Sequence, residues 1–197
     1  MKNRRFVVAA LSLLLVGSAV ASASANPAAV GIGQPVADFK LPDADGHEHS
    51  LSTLKGEHGT VIIFISAQCP MVKAYAERIE KLAQDYRARG VNVVGINSNV
   101  TESTDDIKDH IKRENFSFVV LKDKSNKVAD MLGAERTPEA FFLDASNKLV
   151  YHGRIDNHRD LAQVQTSDLR NAIDETLAGK PVSKTEAAAF GCTIKRG

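Results

Sequence analysis

The run Val-Ile-Ile-Phe-Ile at 61–65 is the stretch that most restricts what this chain can fold into. Five apolar residues in a row, four of them β-branched, leave no polar face for water, so the strand they predict must be covered on both sides. Four residues on, Cys69-Pro70 opens a stretch in which Met71, Tyr75, Ile79, Leu82 and Tyr86 recur at spacings of four, four, three and four. That is one apolar stripe on a helix spanning 70–88. Pro70 stands in the first turn, where a helix tolerates proline, and Gly90 is placed to stop it. A two-faced strand feeding an amphipathic helix is half of a β-α-β unit.

The rest of the chain continues that alternation. Residues 91–96 predict a second buried strand, 105–114 a helix with Thr101, Ser103 and Thr104 available as caps, 116–121 a third strand, and 128–132 a helical turn or two. Residues 139–144 and 148–152 flank Ala-Ser-Asn as a β-hairpin. Ser167 is placed to cap a last helix carrying Leu169, Ile173 and Leu177 inward, closed by Gly179 and Pro181. Upstream, the alternation at 35–41, the Asp-Ala-Asp-Gly turn at 43–46 and residues 47–51 predict a first hairpin; residues 26–34 are small and Gly-rich and predict no order. The expected architecture is α/β, a mixed central sheet flanked by helices with an N-terminal β-hairpin. One domain over 26–181 is followed by a tail, 182–197, that carries Cys192.

At the other end, Lys2, Arg4 and Arg5 precede an apolar run at 6–20 and an Ala-Ser-Ala-Ser-Ala exit at 21–25. This pattern predicts a secretory signal peptide cleaved after Ala23 or Ala25, since a permanent span needs about 20 apolar residues. The mature protein is then expected in the periplasm or outside the cell, with no stable membrane insertion. Cleavage after Ala25 leaves 172 of 197 residues and removes three basic and no acidic residues, which turns 25 basic against 24 acidic into a net charge of −2. A near-neutral surface argues against a nucleic-acid partner. Export would place Cys69 and Cys192, the two cysteines of the chain, where disulfides persist.

Cys69 lies at the strand-to-helix junction, where unpaired backbone N–H groups favour an anion. Such sites lower a thiol's pKa from about 8.5 into a range of roughly 3.5–7.5, and the thiolate is the species that attacks peroxides and disulfides. Lys73, one turn on, can add to the effect or point to water. Gln68 can donate to the sulfur or to a bound peroxide, or simply face solvent. His47 and His49 share one side of a strand, as metal ligands do, or are solvated hairpin residues. Arg154 and Asp156 are expected to pair locally at the end of the second hairpin, and His152 and His158 flank the same Gly-Arg-Ile-Asp segment.

Phe39-x-Leu41 with Asp45-Gly46 and Leu51, then VIIFISAQCP at 61–70, NSN at 97–99, Thr137-Pro138 before FFLD, and GRID at 153–156 together resemble the redoxin (AhpC/TSA) family over roughly residues 31–180. CPMVKAY with the terminal GCTIKR looks like the peroxiredoxin-like bacterial redoxins. The resemblance implies a thioredoxin-like fold and a thiol-dependent oxidoreductase or peroxidase, with Cys69 and Cys192 catalytic and Ser66, Gln68, Thr137 and Pro138 binding substrate. Thr137-Pro138 matches the place where such proteins hold a cis-proline facing the active sulfur, and an X-Pro bond is the kind that adopts cis at modest cost. The Thr137 backbone is then available to a bound substrate chain. Two departures stand out. Val72 occupies the second position of Cys-x-x-Cys, which excludes a nearby dithiol, and Ile62 replaces the proline that precedes a peroxidatic cysteine, although Ser66 keeps the hydroxyl position. Arg136 does not align with the family's arginine.

The leading reading is therefore an exported enzyme in which the Cys69 thiolate reduces a peroxide or a protein disulfide, with an external thiol as reductant and no cofactor. Relatives place a resolving cysteine near the C-terminus, so Cys192 is expected to close a disulfide with Cys69, within one chain or across a homodimer. Otherwise Cys192 packs as a small apolar residue beside Phe190 and Ile194. Two alternatives are a metallochaperone holding copper through Cys69 and a histidine, because thiolate and imidazole suit copper, and a purely structural Cys69–Cys192 bridge.

Overall fold

A computed structural model describes residues 29–197; the expected signal peptide lies outside the described residues. The 61–65 run forms the core of strand β3 (Gly59–Phe64). Val61, Ile63 and Ile65 point into one apolar layer and Ile62 and Phe64 into the other, the period-two division expected of a strand covered on both faces. β3 runs parallel to β4 (Val91–Asn97) and antiparallel to β7 (Glu139–Asp144). With β5 (Val120–Lys122), β8 (Leu149–Gly153) and β9 (Glu186–Ala187), they make a six-stranded sheet of order β5-β4-β3-β7-β8-β9. β1 (Lys40–Pro42) and β2 (Glu48–Ser50) form the N-terminal hairpin.

Helix α2 (Pro70–Arg87) covers one face with Val72, Tyr75, Ile79, Leu82 and Tyr86, joined there by Leu169 and Ile173 of α5 (Asp168–Leu177) and Ile107 of α3 (Thr104–Glu114). The opposite face takes Leu51 of the short α1 (Leu51–Leu54) and Val128 and Leu132 of α4 (Lys127–Leu132). Ser103 caps α3 in a reciprocal capping box with Asp106, which satisfies two orphan donors at once.

Four local expectations are corrected. The strand expected over 116–121 starts late because Ser117 is held by side chains: its N–H donates to Glu80 and its carbonyl accepts from Arg87. Phe116 and Phe118 fill the core instead, Phe116 edge-on to His110. The strand expected over 35–41 is confined to its end; Pro35 has no N–H to extend a ladder and makes an isolated bridge to Lys148. Residues 30–34 are ordered, since Val30 donates to Met131 and Gly33 to Leu149. Ser167 precedes α5 without a side-chain cap. Past Pro181 the chain returns to the body, adding β9 to β8 and then β10 (Cys192–Thr193) to β6 (Arg136–Thr137). Among the described residues, no helix is long and apolar enough to cross a membrane.

Candidate active site

Cys69 is the N-cap of α2, in extended conformation, with Pro70 entering the first turn. Its side chain is buried, 4% exposed, at the C-terminal mouth of β3, where open α/β sheets place their sites. Its partner is Cys192, 123 residues away in sequence: the two are joined by a disulfide with their Cα atoms 6.0 Å apart. The means of delivery is β10, which lies antiparallel on β6 with Cys192 opposite Thr137 and Thr193 opposite Arg136. Thr137-Pro138 is a cis peptide, and the Thr137 carbonyl oxygen is 3.2 Å from the Cys69 sulfur. Gly191 lets the two backbones close up: a Cβ there would collide with the Thr137 carbonyl oxygen and stand 2.8 Å from its carbon.

β6 is itself braced from below. The buried Glu139 accepts from the backbone N–H groups of Glu135 and Arg136 at 2.8 and 2.7 Å and from the His152 ring at 2.6 Å, and His152 stacks on Phe141. Neither Glu139 nor His152's pairing was visible in the sequence. Phe190 packs edge-on to Tyr75, which carries the tail across the head of α2.

The turn before Cys69 is held by Glu102, which no motif in the sequence marks. Its carboxylate accepts from Ser66 Oγ at 2.5 Å, from the backbone N–H groups of Ala67 at 2.9 Å and Gln68 at 3.2 Å, and from Asn97 Nδ2 at 2.5 Å. The Ser66 carbonyl accepts from the Cys69 N–H at 3.4 Å while its hydroxyl spends its proton on Glu102, and Gln68, next to Cys69 in the chain, is exposed. The signal that could have found Glu102 is its place: it follows the C-terminal end of β4, next to the strand that delivers Cys69. Lys73 is exposed.

Other singled-out residues lie elsewhere. His49 and His47 both turn to Asp43, at 2.8 and 3.4 Å. Among the described residues, ligand atoms of Asp43, Asp45 and His47 come within 4.8 Å of one another, a cluster that does not include Cys69. Arg154 and Asp156 do not pair with each other. Arg154 binds the buried Asp168 at 2.8 Å, and Asp156 accepts from Tyr75 Oη and Arg78, each at 2.7 Å. Ile155, between them, is buried in the core, and each charge finds a partner on a different helix. Burial, then the Asp156 hydrogen bond, pushes the Tyr75 phenol far above its ordinary value.

A mixed sheet with a cysteine heading the helix after its central strand, and a cis-proline loop against that sulfur, defines a thioredoxin-like protein. The family profile that matches is that of the AhpC/TSA family, over residues 32–152, and the chain belongs to that family. It is similar to the thiol-disulfide oxidoreductase ResA of Halalkalibacterium halodurans, 25% identical over 154 residues, 76% of this chain and 86% of the relative. It is also similar to the chloroplastic peroxiredoxin Q of Sedum lineare, 27% identical over 71% of this chain and 72% of the relative. Among solved structures, a hypothetical protein of Sinorhizobium meliloti 1021 superposes with a TM-score of 0.78 at 37% identity, covering 86% of this chain and 96% of that one.

Proposed function

We propose that this protein is a thiol oxidoreductase in which Cys69 is the attacking sulfur and Cys192 resolves it within the same chain. The observation that carries the reading is the Cys69–Cys192 disulfide at the head of α2, a position that favours a thiolate. The two relatives named above point to two oxidants, a protein disulfide and a peroxide, and one pair of sulfurs serves both. With a peroxide, the Cys69 thiolate attacks one oxygen, the O–O bond breaks, and the departing oxygen takes a proton and leaves as an alcohol or water. The Cys69 sulfenic acid then condenses with the Cys192 thiol, losing water and forming the S–S bond. With a disulfide, Cys69 forms a mixed disulfide and expels one thiolate; Cys192 attacks the Cys69 sulfur and expels the second. Either way the protein is oxidised by two electrons, and an external thiol restores it.

Thr137 and Pro138 line the approach to the sulfur, Gln68 stands exposed at its mouth, and Ser66 acts through the turn that presents Cys69. Export through the N-terminal basic and apolar segment would place the cycle in an oxidising compartment; native N-terminal sequencing that returned Met1 would contradict it.

The test is turnover with hydrogen peroxide and with a protein disulfide, dithiothreitol supplying electrons. The parent should consume at least one oxidant and Cys69→Ser neither. Reduced Cys192→Ala, given oxidant after the dithiothreitol is removed, should stop after the first step, with a sulfenic acid or mixed disulfide trapped on Cys69. If the parent turns over neither oxidant, the bridge is structural and the reading fails.

A further inference from the structure

The stretch that leaves β4 toward α3, residues 97–102, starts on the last residue of β4 and contains the Asn-Ser-Asn of the family resemblance, and nothing in the proposed chemistry uses it. Both halves of the disulfide rest on this one loop. On one side the Glu102 carboxylate, itself 4% exposed, takes the four donors described above, three of them from the turn that ends at Cys69. Four donors on two oxygens is the pattern an acceptor-only carboxylate accommodates. On the other side the tail is tied to the same loop. Val100 donates to the Lys195 carbonyl at 3.0 Å, and the Lys195 N–H donates to Asn99 Oδ1 at 2.6 Å.

The loop is stiffened from the neighbouring strand β5 by Lys122. Its ammonium has three protons, and they go to Asn97 Oδ1 at 3.0 Å, the Asn99 carbonyl at 2.6 Å and the Glu102 carbonyl at 2.7 Å. Burial pulls the Lys122 pKa down, yet the ammonium is matched by these acceptors and by the carboxylate in the same loop.

We propose that Glu102 is the positioning residue of the Cys69–Cys192 couple: by fixing the 66–68 turn to the loop that also holds the tail, it keeps the two sulfurs within bonding reach. The proposal rests on the reading of the two cysteines as a redox couple. A group that only supported the fold would stabilise the oxidised and reduced forms equally and leave the thiol–disulfide equilibrium unmoved. A positioning residue favours the form in which the sulfurs must meet.

The experiment is the equilibrium constant of the internal disulfide against glutathione, in the full chain, for the parent, Glu102→Gln and Ser66→Ala. Gln keeps the shape but turns an N–H₂ group toward donors; Ser66→Ala removes one donor and adds none. Glu102→Gln should weaken the disulfide at least tenfold, about 30 mV, and Ser66→Ala several-fold in the same direction. Constants equal to the parent's in folded variants would overturn the assignment. If Glu102→Gln does not fold, Ser66→Ala decides by the same criterion. If the parent shows no turnover yet the constants shift, the positioning role stands and the enzymatic reading falls; if it turns over and the constants stay, only the role of Glu102 falls.

Discussion

Gly191→Ala should lift the Cys192 strand off β6 and make the internal disulfide easier to reduce. The methyl group would overlap the Thr137 carbonyl oxygen and sit 2.8 Å from the Thr137 carbon and 3.3 Å from the Pro138 nitrogen. These are backbone atoms of a strand pinned by Glu139, so they cannot swing aside as the tip of a side chain does. Overpacking of this kind costs about 1–3 kcal/mol, roughly 5–150-fold in an equilibrium constant. For a two-electron couple that raises the reduction potential by about 20–65 mV. The sign follows from which form needs the contact: the disulfide requires β10 docked on β6, whereas the dithiol can let it go. Potentials measured against glutathione would be compared with Gly31→Ala, a site with nothing within 4 Å of the added carbon. An unchanged potential, with unmoved thermal midpoints in both redox forms, would refute the close approach.

Three further outcomes are expected. In the reduced protein at about pH 6, Cys69 should alkylate faster than Cys192, because Cys69 alone heads a long helix; equal rates by peptide mapping would remove the helix-terminus contribution. Asp156→Ala leaves the mostly buried Arg78 guanidinium without its carboxylate, and breaking such a pair costs roughly 3–5 kcal/mol; a urea-unfolding loss under about 1 kcal/mol would contradict it. The His49 hydrogen bond, helped by the N–H groups of His47 and Asp45, lowers Asp43 to about 2, below the ordinary carboxylate value of about 3.9. Its stabilisation is therefore complete above that value and lost as pH falls through about 2. Asp43→Asn should flatten the acid limb of a thermal-midpoint profile, and an unchanged limb would argue against the pairing.

The sheet and its main helices were legible because burial writes itself into apolar spacing: β3 through an unbroken β-branched run, α2 through its Met71-to-Tyr86 stripe. Cys69 was legible for a related reason, since the break between the two patterns falls on it. The tail was not. β9 and β10 are two residues each, too short to show a period, and they pair with partners far away in sequence. Cys192 could be nominated as the second sulfur, but its place opposite Thr137 follows from Gly191 and from backbone bonds at Ile194 and Lys195. Glu102, Glu139 and the true partners of Asp156 were hidden because an acidic residue reads as surface until its donors are known, and those donors come from other parts of the chain.

The most direct measurement of the Cys69–Cys192 couple is peptide mapping after one equivalent of hydrogen peroxide. The reduced protein is oxidised, its remaining thiols are blocked with N-ethylmaleimide, and it is digested with trypsin without reduction. The prediction is a disulfide joining peptides 56–73 and 185–195, recovered from monomeric protein and absent when peroxide is omitted. Two maleimide-blocked cysteines, a lasting sulfenic acid on Cys69 beside a blocked Cys192, or a bridge found only between chains would contradict it.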